Sequence, residues 1–150
     1  MDAARAGAAV LAQADLILAW LSTQPPSAWR RPSALPGWTV AELVAHLVVS
    51  QRNLTLVLGR AVADKPTTLD GYVAGYADAA GQILERGIAG AAGRDPAEIL
   101  ADLYDATDAA RAALADPPTA RAVAGPRGPL SPADWLLTRA VELVVHADDL

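Results

Sequence analysis

Apolar residues recur every three or four positions along most of this chain, which is the spacing of one face of an α-helix. The pattern predicts a first helix from about Asp2 to Leu21, and the two prolines after Gln24 prevent it from continuing. Strict alternation of apolar and polar residues, the pattern of a half-buried strand, is found nowhere. We therefore expect an all-α protein.

Three later helices begin at local capping signals, in which a Ser, Thr or Asp side chain accepts from the first free backbone N–H groups. Thr39 with Glu42 is a full capping box, since the glutamate can reach back to the cap. Asp95 and Ser131 are each followed by proline at the first helical position. The helices predicted from these signals cover residues 40–59, 96–114 and 132–150.

A weaker helix is predicted in the long crossover that follows the second helix. It runs from about Tyr72 to Ile88 and is interrupted by glycines, while residues 61–71 and 116–130 are predicted as loops. Four substantial helices and one weaker helix favour a four-helix bundle, with residues 1–150 as a single domain. No stop signal follows His146, which indicates truncation or an unusually short family member.

Composition supports this fold class and removes several functions. Apolar residues make up 53% of the chain, much of it alanine, the best helix former. The net charge is −5 and the basic residues are scattered, which argues against binding nucleic acid or an anionic membrane surface. No run of about 18 uncharged apolar residues occurs, so we expect neither a signal peptide nor a membrane span.

The chain contains no cysteine, which excludes a disulfide scaffold, a thiolate nucleophile and a cysteine-type zinc ligand. This fits a reducing compartment, and we expect a cytoplasmic protein. An exposed apolar helix face would permit a homodimer, although the alanine-rich stripes do not favour one particular face.

Both histidines of the chain follow a glutamate by four residues on a predicted helix. The pairs are Glu42 with His46 on the second helix and Glu142 with His146 on the last. A spacing of four places both side chains of a pair on one helix face. With no cysteine present, these helices hold the best candidates for a borderline metal such as zinc.

The last helix continues this polar stripe with Arg139 and Asp149. Its opposite side is predicted to be apolar, and consists of Leu136, Ala140, Leu143, Val144 and Ala147. Two interpretations of the stripes stay open, because a polar stripe usually faces water but two such stripes could also face each other across the bundle. Glu42 is explained by its capping position alone. Trp38 is expected to pack its loop onto the bundle.

The two histidine segments resemble the motifs of one protein family. Residues 34–47, Ala-Leu-Pro-Gly-Trp-Thr-Val-Ala-Glu-Leu-Val-Ala-His-Leu, are similar to the signature of the mycothiol-dependent maleylpyruvate isomerase N-terminal domain, a DinB-like four-helix bundle. Residues 139–150 resemble its second motif, Arg-x-x-Glu-x-x-x-His followed by Asp-Leu. The resemblance covers nearly the whole chain.

The resemblance implies a divalent metal, zinc by preference, held by His46, Glu142 and His146. Three protein ligands leave one coordination position for a reacting group, as in catalytic rather than structural sites. Arg139 and Asp149 are implied to orient these ligands or to bind an acidic substrate.

The resemblance also implies that mycothiol or a similar low-molecular-weight thiol is the nucleophile, because a cation that binds a thiol stabilises the thiolate. Attack on a small electrophile would give isomerisation if the thiol leaves after bond rotation, and S-transfer if the adduct is kept. Two other interpretations stay open: metal-assisted hydrolysis, and a non-catalytic helical module that binds a partner or ligand.

Overall fold

The structure is a computed structural model that describes residues 2–116 and 118–150. These residues form six α-helices: α1 (Ala3–Leu21), α2 (Val40–Leu58), α3 (Leu69–Ala74), α4 (Tyr76–Ala91), α5 (Pro96–Ala115) and α6 (Pro132–Asp149). The four long helices α1, α2, α5 and α6 pack on one another as a bundle, and α4 lies against α2. The predicted four-helix bundle with a helical crossover is confirmed.

The helices begin where local capping groups place them. Thr39 accepts from the backbone N–H of Glu42 at 3.3 Å, and Glu42 Oε2 accepts from the backbone N–H of Thr39 at 2.7 Å. Asp95 and Ser131 make the equivalent side-chain bonds at the starts of α5 and α6. Each satisfies N–H groups that have no partner within the helix, and the predicted starts of α2, α5 and α6 are confirmed.

The crossover contains two helices where the sequence analysis predicted one from about Tyr72. The first, α3, begins at Leu69, because the side chain of Thr68 accepts from the N–H of Gly71 and caps it. Gly75 then ends α3 and precedes the first residue of α4. The predicted single helix was therefore wrong in its start and in its continuity.

The prediction that the chain has no strands was also wrong. Three short strands, β1 (Ala61–Val62), β2 (Ala122–Gly125) and β3 (Gly128–Leu130), form an antiparallel sheet in the order β1-β2-β3. They lie in segments predicted as loops, because strands of two to four residues are too short to show alternation in the sequence. The sheet places the two-residue turn between β2 and β3 near the crossover helices.

The core lies between the four long helices and includes the two largest fully buried side chains, Tyr72 and Trp135. On α6 it takes Leu136 and Leu143 as predicted, but Val144 is 55% exposed, so its assignment to the buried face was wrong. The reason is that α6 turns its polar stripe inward toward α2, which leaves part of the predicted apolar face in solvent.

One helix of the described residues, α1, is long and apolar enough to cross a membrane by length and composition. A helix in the core of a folded domain passes the same test, and α1 buries one face against α5 and α6. Arg5 and Asp15 interrupt its apolar sequence.

Candidate metal centre

Three side chains from two helices converge at one end of the interface between α2 and α6. His46 comes from the second turn of α2, while Glu142 and His146 lie one turn apart on α6. One ligand atom from each lies within 4.8 Å of the other two, and all three residues are partly buried. From the sequence, the polar stripes of α2 and α6 could face either water or each other. In the structure they meet inside the bundle.

His46 and Glu142 form the closest contact of this cluster. Their Nε2 and Oε1 atoms are 2.7 Å apart, and both side chains are largely shielded from solvent. Burial alone would raise the pKa of Glu142, but the hydrogen bond from His46 and the nearby charge of Arg139 outweigh burial and lower this pKa to about 2. Glu142 is therefore a carboxylate at neutral pH, the form that binds a cation.

His146 is held from the other side of its ring by Asp149, whose Oδ2 lies 2.9 Å from Nδ1. A carboxylate can only accept, so Nδ1 carries a proton in this contact, and in the neutral form of the ring the lone pair is then on Nε2. The ring stands at 90° to that of His46, with 5.2 Å between the centroids. Carboxylate partners of this kind fix the tautomer and orientation of metal-binding histidines.

Arg139 lies beneath the cluster and is 5% exposed. Its guanidinium donates to Ser50 Oγ at 3.0 Å and to the hydroxyl of Tyr76, and it lies 3.6 Å from Glu142 Oε2. Its flat face covers the ring of Trp135, with 4.5 Å between Cζ and the ring centroid. Arg139 thus positions Glu142 from below, and its donors are already engaged within the protein.

Trp38 closes one side of the centre, next to His46. Its ring is 8% exposed and meets the His46 ring edge-on, with 5.6 Å between the centroids. Gly87 of α4 makes this packing possible, because a Cβ at that position would lie 2.1 Å from a ring carbon of Trp38. The prediction that Trp38 packs its loop onto the bundle is confirmed.

A cavity of about 90 Å³ opens beside these residues. Several of its lining side chains were not predicted from the sequence. Tyr76 comes from the start of α4 and Arg127 from the β2–β3 turn, both in segments without a recognised motif. From the sequence, Arg127 could have been recognised only as a basic residue in the turn of a hairpin. The hairpin itself was not predicted.

The donor set fits a divalent cation. Two imidazole nitrogens and one carboxylate oxygen are common ligands of zinc, and in catalytic sites three protein ligands leave a fourth position open. Ligand atoms about 2.0–2.1 Å from a tetrahedral ion lie roughly 3.3 Å from one another. The group here, with a 2.7 Å contact and every separation within 4.8 Å, is close to that arrangement.

Comparison with known proteins gives the same family as the motifs. The sequence model of the family described as mycothiol maleylpyruvate isomerase N-terminal domain matches residues 10–150. Two uncharacterized proteins, one from each of two strains of Mycobacterium tuberculosis, are 30% identical over 141 residues, which are 93% of this chain and 52% of theirs. The chain thus spans about half the length of these curated relatives.

Solved structures give the same fold. Two crystal structures of mycothiol-dependent maleylpyruvate isomerase, one of them a histidine-to-alanine mutant, match 100% of this chain and 61% of their own, with TM-scores of 0.69 and 0.77. Sequence identities of 16% and 18% limit this likeness to the fold, a DinB-like helical bundle. The motifs, the sequence model and the fold agree, and the chain belongs to the mycothiol maleylpyruvate isomerase N-terminal domain family.

Proposed function

We propose that this chain is a metal-binding domain of an enzyme that uses mycothiol or a similar small thiol to isomerise or conjugate a small electrophile. The observation that supports this most directly is the convergence of His46, Glu142 and His146 beside a cavity. The family to which the chain belongs supplies the thiol and the reaction class. Residues 1–150 would act as a single domain within that enzyme.

The three converging residues would hold the metal, with zinc as the preferred ion. When bound, a divalent ion supplies a Lewis acid that stabilises the thiolate form of a thiol. The surrounding protein prepares the ligands: Asp149 keeps the proton of His146 on Nδ1, and Arg139 holds the Glu142 carboxylate in place. Neither of these two needs to touch the substrate to do so.

The nucleophile has to come from outside the chain. The sequence contains no cysteine, and the described lining of the cavity offers only Ser50 and Tyr76 as hydroxyl nucleophiles. Both hydroxyls accept hydrogen bonds from Arg139, a cation that does not act as a general base. An external thiol is the simpler source, and this supports thiol chemistry over a protein nucleophile.

A cytoplasmic location and a homodimer stay predictions from the sequence.

The proposal is tested first by metal content. Wild-type protein, His46→Ala and Glu142→Ala are purified, freed of metal, reloaded with zinc and measured by elemental analysis. We expect close to one zinc per wild-type chain and little in either variant. Asp148→Ala is a matched control, because Asp148 is an exposed carboxylate on the last turn of α6. Wild-type loading in both ligand variants would end the metal proposal.

The second test separates thiol chemistry from the other interpretations. Zinc-loaded protein is incubated with mycothiol and a panel of electrophiles, with and without the thiol, and products are followed by mass spectrometry. Product that depends on both zinc and thiol supports the proposal. Zinc-dependent turnover that needs no thiol would favour hydrolysis, and folded wild-type protein that takes up no metal would favour a non-catalytic module.

A further inference from the structure

Arg127 stands out among the residues beside the metal centre because it is a partly buried cation that forms no ion pair with any described residue. It lines the same cavity as His46 and Glu142. Among the described residues, none of the ion pairs within 4.0 Å includes it. Its Nε is buried and has no hydrogen-bond partner. The described residues therefore supply neither an acceptor for this Nε nor a carboxylate for the guanidinium.

The side chain is nevertheless held firmly in its position. Its guanidinium lies over the ring of Tyr76, 3.5 Å from the centroid, and 4.8 Å from the centroid of Tyr72. The stem passes over Gly75, where a Cβ would approach Arg127 Cδ to 3.0 Å. The turn that carries it connects paired residues of β2 and β3. Stacking on aromatic rings orients an arginine while leaving its N–H edge free to bind a ligand.

The charge of the cavity lining points to an anion. Arg86, Arg127 and Arg139 line the cavity together with a single carboxylate, Glu142, although the chain as a whole carries a net charge of −5. A bound divalent cation would make this site more positive still. A cleft lined mainly by one sign of charge concentrates ligands of the opposite sign.

Arg139 was implied to bind an acidic substrate, but its surroundings argue against that. It is buried, and each of its three guanidinium nitrogens already donates to a side chain of the protein, namely Thr138, Ser50 and Tyr76. Arg127 is the better candidate, because among the described residues its guanidinium forms no ion pair and its Nε has no acceptor. The cavity of about 90 Å³ has room for roughly three water molecules, which is enough for one small planar group.

We infer that Arg127 recognises a carboxylate on the electrophile and so selects acidic electrophiles over neutral ones. This inference rests on the proposed function for the identity of the ligand, but the anion site itself is carried by Arg127 and the cavity. A carboxylate is favoured because its two oxygens match the paired N–H groups of a guanidinium. Arg139 is then a positioning residue for Glu142.

The test compares two probes that differ only in charge: crotonate and crotonamide, titrated without thiol and followed by NMR. Zinc-loaded wild type is expected to bind crotonate more tightly than crotonamide. Arg127→Gln should weaken crotonate binding on the order of tenfold or more and leave crotonamide unchanged. Arg121→Gln is the matched control, because it removes the same charge from an exposed position just before β2.

Several results would overturn the inference. The inference is contradicted if wild type binds both probes equally, or if Arg127→Gln leaves crotonate binding intact. It is also contradicted if inorganic phosphate binds more tightly than crotonate. If zinc alone coordinates crotonate, the binding does not depend on Arg127, and Arg127→Gln leaves it intact. Arg127→Met, which keeps the stem against the tyrosines, replaces Arg127→Gln if thermal melts show that the latter does not fold.

The same titration on metal-free protein separates this inference from the proposed function. A preference for crotonate that persists without zinc and is lost in Arg127→Gln supports the anion site even if the chain takes up no metal. Normal zinc loading with no preference for crotonate would leave the proposed function standing and reject the anion site.

Discussion

Asp149 Oδ2 lies 2.9 Å from Nδ1 of His146, one turn along the same helix. This contact fixes which nitrogen of the imidazole carries the proton and turns the other toward His46 and Glu142. The last turn of α6 therefore orients an imidazole that the preceding turn presents. The ring of His46 packs edge-on against Trp38, with 5.6 Å between the centroids.

We predict that Asp149→Ala weakens zinc binding without abolishing it. Loss of a carboxylate that orients a ligating histidine typically reduces metal affinity by about 10- to 100-fold. Competition with a chromogenic chelator measures the change, and Asp148→Ala, its exposed neighbour, should bind zinc as wild type does. Equal losses in both variants would indicate a general charge effect of the helix terminus, contrary to our assignment.

The depressed pKa of Glu142 predicts how the stability of metal-free protein depends on pH. Because the folded-state pKa of about 2 lies below the usual 4.5, ionised Glu142 stabilises the fold fully above pH 4.5, and this contribution is lost as the pH falls toward 2. The difference in free energy of unfolding between wild type and Glu142→Gln should therefore shrink between pH 5 and pH 2.5, values chosen to bracket that window.

Urea denaturation at several pH values measures this difference. Glu85→Gln, which removes the charge of an exposed glutamate on α4, is the control and should show no comparable change. A gap between wild type and Glu142→Gln that stays constant over the whole range would mean that the contact with His46 does not lower the pKa of Glu142.

Gly87 provides a test of how α4 supports the centre. We predict that Gly87→Ala destabilises the protein by roughly 1–3 kcal/mol, the usual cost of overpacking, because the new Cβ would overlap the ring of Trp38. Gly81→Ala on the same helix has open space around it and should stabilise by about 0.5–1 kcal/mol. Thermal melts of both variants check the opposite signs, and destabilisation by both would show that α4 does not tolerate alanine for some reason other than Trp38.

The parts of this fold that could be predicted from sequence are those controlled by neighbouring residues. Thr39, Asp95 and Ser131 marked three helix starts, because a cap and its N–H partners lie within three residues. The meeting of His46 with Glu142 spans 96 positions and could not be derived from spacing. It was expected only because the two motifs resemble a family in which they occur together.

The remaining features depend on contacts that no local pattern contains. Val144 is exposed and Arg139 is buried because of how α6 is rotated against α2. Helical periodicity alone does not determine which side of a helix with both polar and apolar faces is buried. Arg127 reaches the cavity only because short strands, invisible as alternation, form a hairpin. The sequence therefore predicted the three clustered residues better than their surroundings.

Glu42 and His46 have the same spacing as Glu142 and His146 on α6, but the structure gives Glu42 a different role. Its Oε2 accepts from the backbone N–H of Thr39 at 2.7 Å and from the Thr39 hydroxyl at 2.8 Å, so the carboxylate is occupied at the helix start. We predict that Glu42→Ala costs on the order of 1 kcal/mol of stability, as the loss of a cap does. Zinc stoichiometry and affinity should match wild type, whereas His46→Ala, four residues later, should lose zinc. Measurements of stability and zinc binding on both variants distinguish the two roles of Glu42. If Glu42 were a ligand, Glu42→Ala would lose zinc affinity in proportion to the share of the coordination that Glu42 provides. If Glu42 is a cap, Glu42→Ala loses only stability.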